Sequence, residues 1–84
     1  MNPSPVQIGE LIKATRNDSG LTQKDLALTC GTGLRFIIEL ERGKPTCQLG
    51  KVLTVLNTLG IVVQVTGYSE LQTTNREGGE WNEP

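Results

Sequence analysis

Two short helical patterns joined by a glycine-bearing turn constrain this chain most. The first is Leu21, Thr22, Gln23, Lys24, Asp25, Leu26, Ala27. Gly31 follows, and then the run Phe36, Ile37, Ile38, Glu39, Leu40, Glu41, Arg42, Gly43. Thr22 is a helix-capping residue, and Asp25 three positions on places a negative charge at the helix N-terminus. Leu26, Ala27 and Cys30 share one face, with Ala27 small enough for a close helix crossing. Gly31 can take the positive-φ conformation that ends the helix. Two helices on either side of such a turn have the layout of a helix-turn-helix. That arrangement sets its second helix in the major groove of DNA.

The flanking segments extend the helical pattern. Ser4, Pro5 and Gln7 supply a cap, a first-turn proline and the far side of a capping box. Ile8, Leu11, Ile12 and Thr15 recur at helical spacing, and Asn17, Asp18, Ser19 and Gly20 stop this first helix. The helix after the turn begins near Thr32 or Gly33 and runs to about Arg42. Phe36, Ile37 and Leu40 cluster on its core side, and Leu34, Arg35, Ile38 and Glu39 on the opposite side. Gly43 and Pro45 end it. Thr46 is positioned to cap a fourth helix with an apolar stripe of Leu49, Val52, Leu53, Leu56 and Leu59, closed by Gly60. The stripe is too short for a stable coiled coil and reads as core.

The signal then changes. In the run Ile61, Val62, Val63, Gln64, Val65, Thr66 every residue but Gln64 is β-branched, which favours a strand. A lone strand cannot satisfy its own edge. It either pairs with the same strand of a second copy across a two-fold axis or lies unpaired against the fourth helix. Residues 68–84 are polar, acidic and glycine-bearing, and read as a flexible acidic tail following a 1–67 domain. Trp81, the sole tryptophan, is a candidate anchor for a partner's pocket or a tail residue with no role.

Composition limits the alternatives. Eighty-four residues make at most one domain, with a core small enough that dimerisation would help it. The chain has no histidine, which excludes Ser-His-Asp and Cys-His catalysis, and Cys30 and Cys47 alone cannot complete a zinc site. No enzyme activity, cofactor or metal is expected. No apolar run is long enough to span a membrane and no signal pattern opens the chain, so a cytoplasmic, nucleoid-associated protein is expected. The net charge of −1 hides an asymmetry. Residues 1–67 hold seven Lys and Arg against five Asp and Glu, whereas Glu70, Glu77, Glu80 and Glu83 face only Arg76 in the tail. Dimerisation would double the basic footprint of the body.

From Ile8 to Thr66 the chain resembles the Xre/Cro-type helix-turn-helix repressors, and within them the HipB-like antitoxins. The resemblance rests on Gly20 to Ala27, Gly33 to Ile37, Leu40 to Thr46 and Leu53 to Gly60. It implies an all-α, lambda-repressor-like bundle of four to five helices. One short C-terminal strand, with Ile61, Val62, Val63 and Val65, would pair across a homodimer. It also implies operator binding, autorepression, and association with a HipA-like serine/threonine kinase toxin. In such antitoxins a tryptophan-bearing tail can engage the toxin, and Trp81 is placed to match. A departure from the family is that Gly33, Leu34 and Ile38 are less polar than in many members, which speaks against base hydrogen bonding by them.

Nine residues are candidate DNA contacts. Gln23 stands at a helix N-terminus, where it can bond a phosphate or a base edge, or serve only as an exposed capping residue. Lys24 is a phosphate contact or a solvated charge. Arg35, in the first turn of the recognition helix, can bind guanine bidentately or hold a phosphate. Leu34 and Ile38 can pack on thymine methyls or be ordinary exposed apolar residues, and Gly33 permits close backbone approach or acts only as a cap. Thr32, Arg42 and Lys44 are secondary candidates for the DNA backbone, and Glu41 is expected to pair with a basic residue or cap a neighbouring turn. A stand-alone repressor without a toxin, and an interaction module that keeps this fold without binding DNA, are the competing readings.

Overall fold

The computed structural model describes residues 2–65. They form four helices, α1 (Pro5–Asp18), α2 (Gln23–Cys30), α3 (Leu34–Glu41) and α4 (Leu49–Thr58). Each boundary follows from local chemistry. Ser4 Oγ accepts from the Gln7 N–H while the Gln7 side chain accepts from the Ser4 N–H, a complete capping box with Pro5 in the first turn. Thr22 and Asp25 make the same reciprocal pair at α2, so Asp25 closes a box as well as placing charge there. Gly31 ends α2 at φ 71°, in the left-handed region that glycine enters without a Cβ penalty.

The core is small. Ile12 of α1, Leu26 and Ala27 of α2, Ile37 and Leu40 of α3, and Val55 and Leu56 of α4 are buried. Ile8, Cys30, Phe36, Cys47, Val52, Leu59 and Ile61 pack around them, half-buried. α3 lies against both α1 and α2, and α4 closes on α2. α1 crosses α3 closely at Gly9, where a Cβ would stand 2.6 Å from the Leu40 carbonyl oxygen and 2.7 Å from that of Glu41. Ala27 is buried as expected, but Gly9 sets the approach of α1 to α3. The buried face of α1 is therefore Gly9, Ile12 and Arg16, and Leu11 is left exposed.

Three expectations are corrected. The cap of α4 is Gln48, not Thr46, because Pro45 and Thr46 are spent in a turn, braced by the Cys47 thiol donating to the Lys44 carbonyl. The buried face of α4 is turned toward Val52, Val55, Leu56 and Leu59, so Leu49 stays 69% exposed and Leu53 is exposed too. No strand occurs among the described residues. The segment 61–65 is irregular, tied down where the Ile61 N–H donates to the Leu56 carbonyl at 2.9 Å. A ladder needs a second extended backbone, and among the described residues of one chain there is none. Among those residues, too, no helix is long and apolar enough to cross a membrane.

Candidate nucleic-acid interface

A buried ion pair ties α1 to α3, the second helix of the turn motif. Arg16 Nε lies 2.6 Å from Glu41 Oε2, and a second guanidinium nitrogen donates to Glu41 Oε1 at 3.1 Å. The third Arg16 nitrogen donates to the Leu21 carbonyl at 2.8 Å, which pins the connection between α1 and α2. Gln23 Nε2 donates to the same Glu41 Oε1 at 3.0 Å. One carboxylate at the end of α3 thus gathers donors from α1 and from the first residue of α2. Both charges are buried, and this bidentate geometry offsets their desolvation. The bond to Glu41 raises the Arg16 guanidinium above its ordinary range despite the burial, so the cation stays charged.

That network fixes what the N-terminus of α2 presents. The Gln23 amide spends one donor on Glu41 and keeps a second, and Lys24 beside it is exposed. The Asp25 carboxylate is pulled below the usual carboxylate range, first by the Thr22 backbone N–H that donates to it.

The start of α3 is bare. Gly33 is its cap and is exposed, and no side chain satisfies the first N–H groups. Thr32 does not offer its hydroxyl to the surface: Oγ1 is buried without a partner among the described residues, and its N–H donates to the Ala27 carbonyl at 2.9 Å. The Arg35 side chain is 86% exposed, its guanidinium 3.8 Å from the Glu39 carboxylate one turn on, and Leu34 is exposed beside it. Ile38 is half-buried. Arg42 is exposed at the helix C-cap, and Lys44 is exposed but bound through Nζ to Glu39 Oε1 at 3.1 Å.

The geometry therefore brings Leu34, Arg35 and Ile38 onto the outward side of α3, with Arg42 and Lys44 at its end. Glu41 does pair with a basic residue, and the partner is Arg16, joined by Gln23. Arg16 and Glu41 stand too far apart in sequence for any local pairing rule to join them.

A relative is similar to this chain in sequence. The uncharacterized HTH-type transcriptional regulator y4mF of Sinorhizobium fredii is 48% identical over 67 residues, covering 80% of this chain and 88% of that protein. The chain belongs to the HTH-type transcriptional regulators. No protein-family model matches this regulator. Among solved structures, a chain of a HipB–O4 20mer complex matches it with a TM-score of 0.71 at 24% identity, over 81% of this chain and 96% of that one. A chain of a HipA–HipB–O2–O3 complex matches with the same values. At that identity the likeness is one of fold: four helices with a HipB-like helix-turn-helix.

Proposed function

We propose that this regulator is a sequence-specific DNA-binding homodimer that represses transcription and lays α3 in the major groove. The observation that carries the reading is the outward side of α3. It projects the exposed Arg35 guanidinium from the first turn of a helix whose N-terminus has no side-chain cap, on a frame held rigid by the Arg16–Glu41–Gln23 network. Arg35 takes a guanine edge. Lys24, Arg42, Lys44 and the second Gln23 donor hold phosphates, and Leu34 and Ile38 meet thymine methyls. Thr32 is left out of the contact set, because its hydroxyl is buried and its N–H is donated to the Ala27 carbonyl.

The second copy docks on segment 61–65. Val62 and Val65 are 80% and 88% exposed, and Val63 and Leu53 are exposed too. An open hollow of about 270 Å³ between α1 and this segment is lined by Ile8, Leu11, Leu56, Ile61, Val62 and Val63. A second copy seated on this face across a two-fold axis would cover the apolar surface.

In the finer form of the proposal the regulator is an antitoxin that autorepresses its operon and binds a HipA-like kinase toxin, with Trp81 as anchor. The fold likeness to a chain of a HipA–HipB–O2–O3 complex supports it. Trp81 itself lies outside the described residues. A stand-alone repressor is the second reading, and it fits the likeness to an HTH-type transcriptional regulator equally well. Chromatin immunoprecipitation of the tagged chain at native expression, with mass spectrometry of what co-purifies, tests both levels. A peak upstream of its own gene and a stoichiometric kinase-like protein are the expected results. A peak without a partner selects the stand-alone repressor, and no peak anywhere rejects DNA binding.

A further inference from the structure

The outward side of α3 holds an acidic side chain among its cations. Glu39 follows Arg35 by one helical turn, and its Oε2 lies 3.8 Å from the Arg35 guanidinium. Its Oε1 accepts from Lys44 Nζ at 3.1 Å. The backbone repeats the second link, because the Lys44 N–H donates to the Glu39 carbonyl at 3.1 Å. Glu39 therefore holds a base-reading candidate and a phosphate-binding candidate together, while its own side chain remains 31% exposed.

Exposed pairs of this kind add little to stability, so folding gives no strong reason for the arrangement. Its effect on a polyanionic partner is larger. A carboxylate brought to a duplex is repelled by every phosphate near it, and it occupies cations that would otherwise bind them. That cost is recovered only where the groove offers the carboxylate a donor, and the N4 amino group of cytosine is the donor a glutamate accepts from. We infer that Glu39 is the specificity determinant of this face. On arbitrary duplex it restrains Arg35 and Lys44. On the preferred sequence it releases them, accepting from a cytosine N4 amino group while Arg35 takes a guanine and Lys44 a phosphate.

This inference rests on the DNA-binding reading above, and the experiment separates the two. The full chain and its Glu39→Gln and Glu39→Asp variants are titrated against two probes at several salt concentrations. One probe is a random-sequence duplex of about 30 base pairs, long enough for two half-sites a helical turn apart. The other is the duplex that the wild-type chain enriches from a random pool. Glu39→Gln is expected to bind random duplex about tenfold more tightly with a steeper salt dependence, and its preference for the enriched duplex falls about tenfold. The sequences it enriches lose cytosine at one position per half-site. Glu39→Asp keeps the charge and stays near wild type on random duplex. A folding defect would weaken binding to both probes, so a gain on random duplex cannot come from one. A Glu39→Gln chain with wild-type affinity for random duplex and the wild-type enriched sequence overturns the inference. A wild-type chain that binds neither probe overturns the DNA-binding reading, and this inference with it.

Discussion

Burying Glu41 costs its hydration, and Arg16 and Gln23 together offset that cost. Removing one member strands the other charge. Glu41→Ala is expected to lower unfolding free energy by about 3–5 kcal/mol, because a buried guanidinium loses its counter-charge. Chemical denaturation measures this, and a loss under about 1 kcal/mol would mean the pair behaves like a surface one. Asp25 acts at the opposite extreme of exposure. Its carboxyl is held below the usual range by the Thr22 N–H, so the ionised form favours the folded state. That contribution is fully present above the unfolded value of about 3.9 and is lost as pH falls through the lower folded value. Asp25→Asn should therefore be less stable than wild type at neutral pH, with the gap closing below about pH 4. A gap constant from neutral to strongly acidic pH in thermal melts would remove the capping box from the account.

The helices obey their capping chemistry and their crossings obey sterics. Gly9→Ala drives a Cβ into two backbone carbonyls of α3 and should cost at least about 2–3 kcal/mol. Gly50 in α4 has open space around its Cβ position and no positive φ, so Gly50→Ala should stabilise by about 0.5 kcal/mol. Equal effects of the two substitutions in denaturant midpoints would contradict the crossing at Gly9. The sequence made α1, α2 and α3 readable because Ser4, Pro5, Thr22, Gly31 and Gly33 are local signals that need no tertiary partner. It made α4 less readable. Leu49 and Leu53 share a helical stripe with Leu56, yet the neighbouring helices cover Val55 instead, and a helix's rotation is set by what packs on it. Segment 61–65 has strand chemistry but lacks, among the described residues, a second backbone to pair with. At the candidate interface, the exposure of Arg35 followed from the wheel of α3. The inward turn of the Gln23 amide did not, because it depends on Glu41 arriving from another helix.

Among the described residues, a core of seven buried apolar side chains sits beside exposed Leu49, Leu53, Val62, Val63 and Val65. A domain of this size gains from covering such a surface. Val63 lines the hollows on both sides of segment 61–65. If a second copy docks there, Val63→Lys places a charge in the apolar contact and should weaken dimerisation about tenfold or more. Sedimentation velocity at matched concentration reads the shift to monomer, and an unchanged oligomeric state would move the interface elsewhere.

The most direct test of the central claim is equilibrium binding of the full chain and of Arg35→Ala to the self-enriched duplex and its single-base variants, across a salt series. The account predicts binding that weakens steeply with salt, with a log–log slope of about −5 if Lys24, Arg42 and Lys44 of both protomers hold phosphates. It also predicts that Arg35→Ala loses about 1–3 kcal/mol and becomes indifferent to one base pair in each half-site. Binding that is absent or indifferent to salt, or an Arg35→Ala loss spread evenly over all sequences, would contradict it.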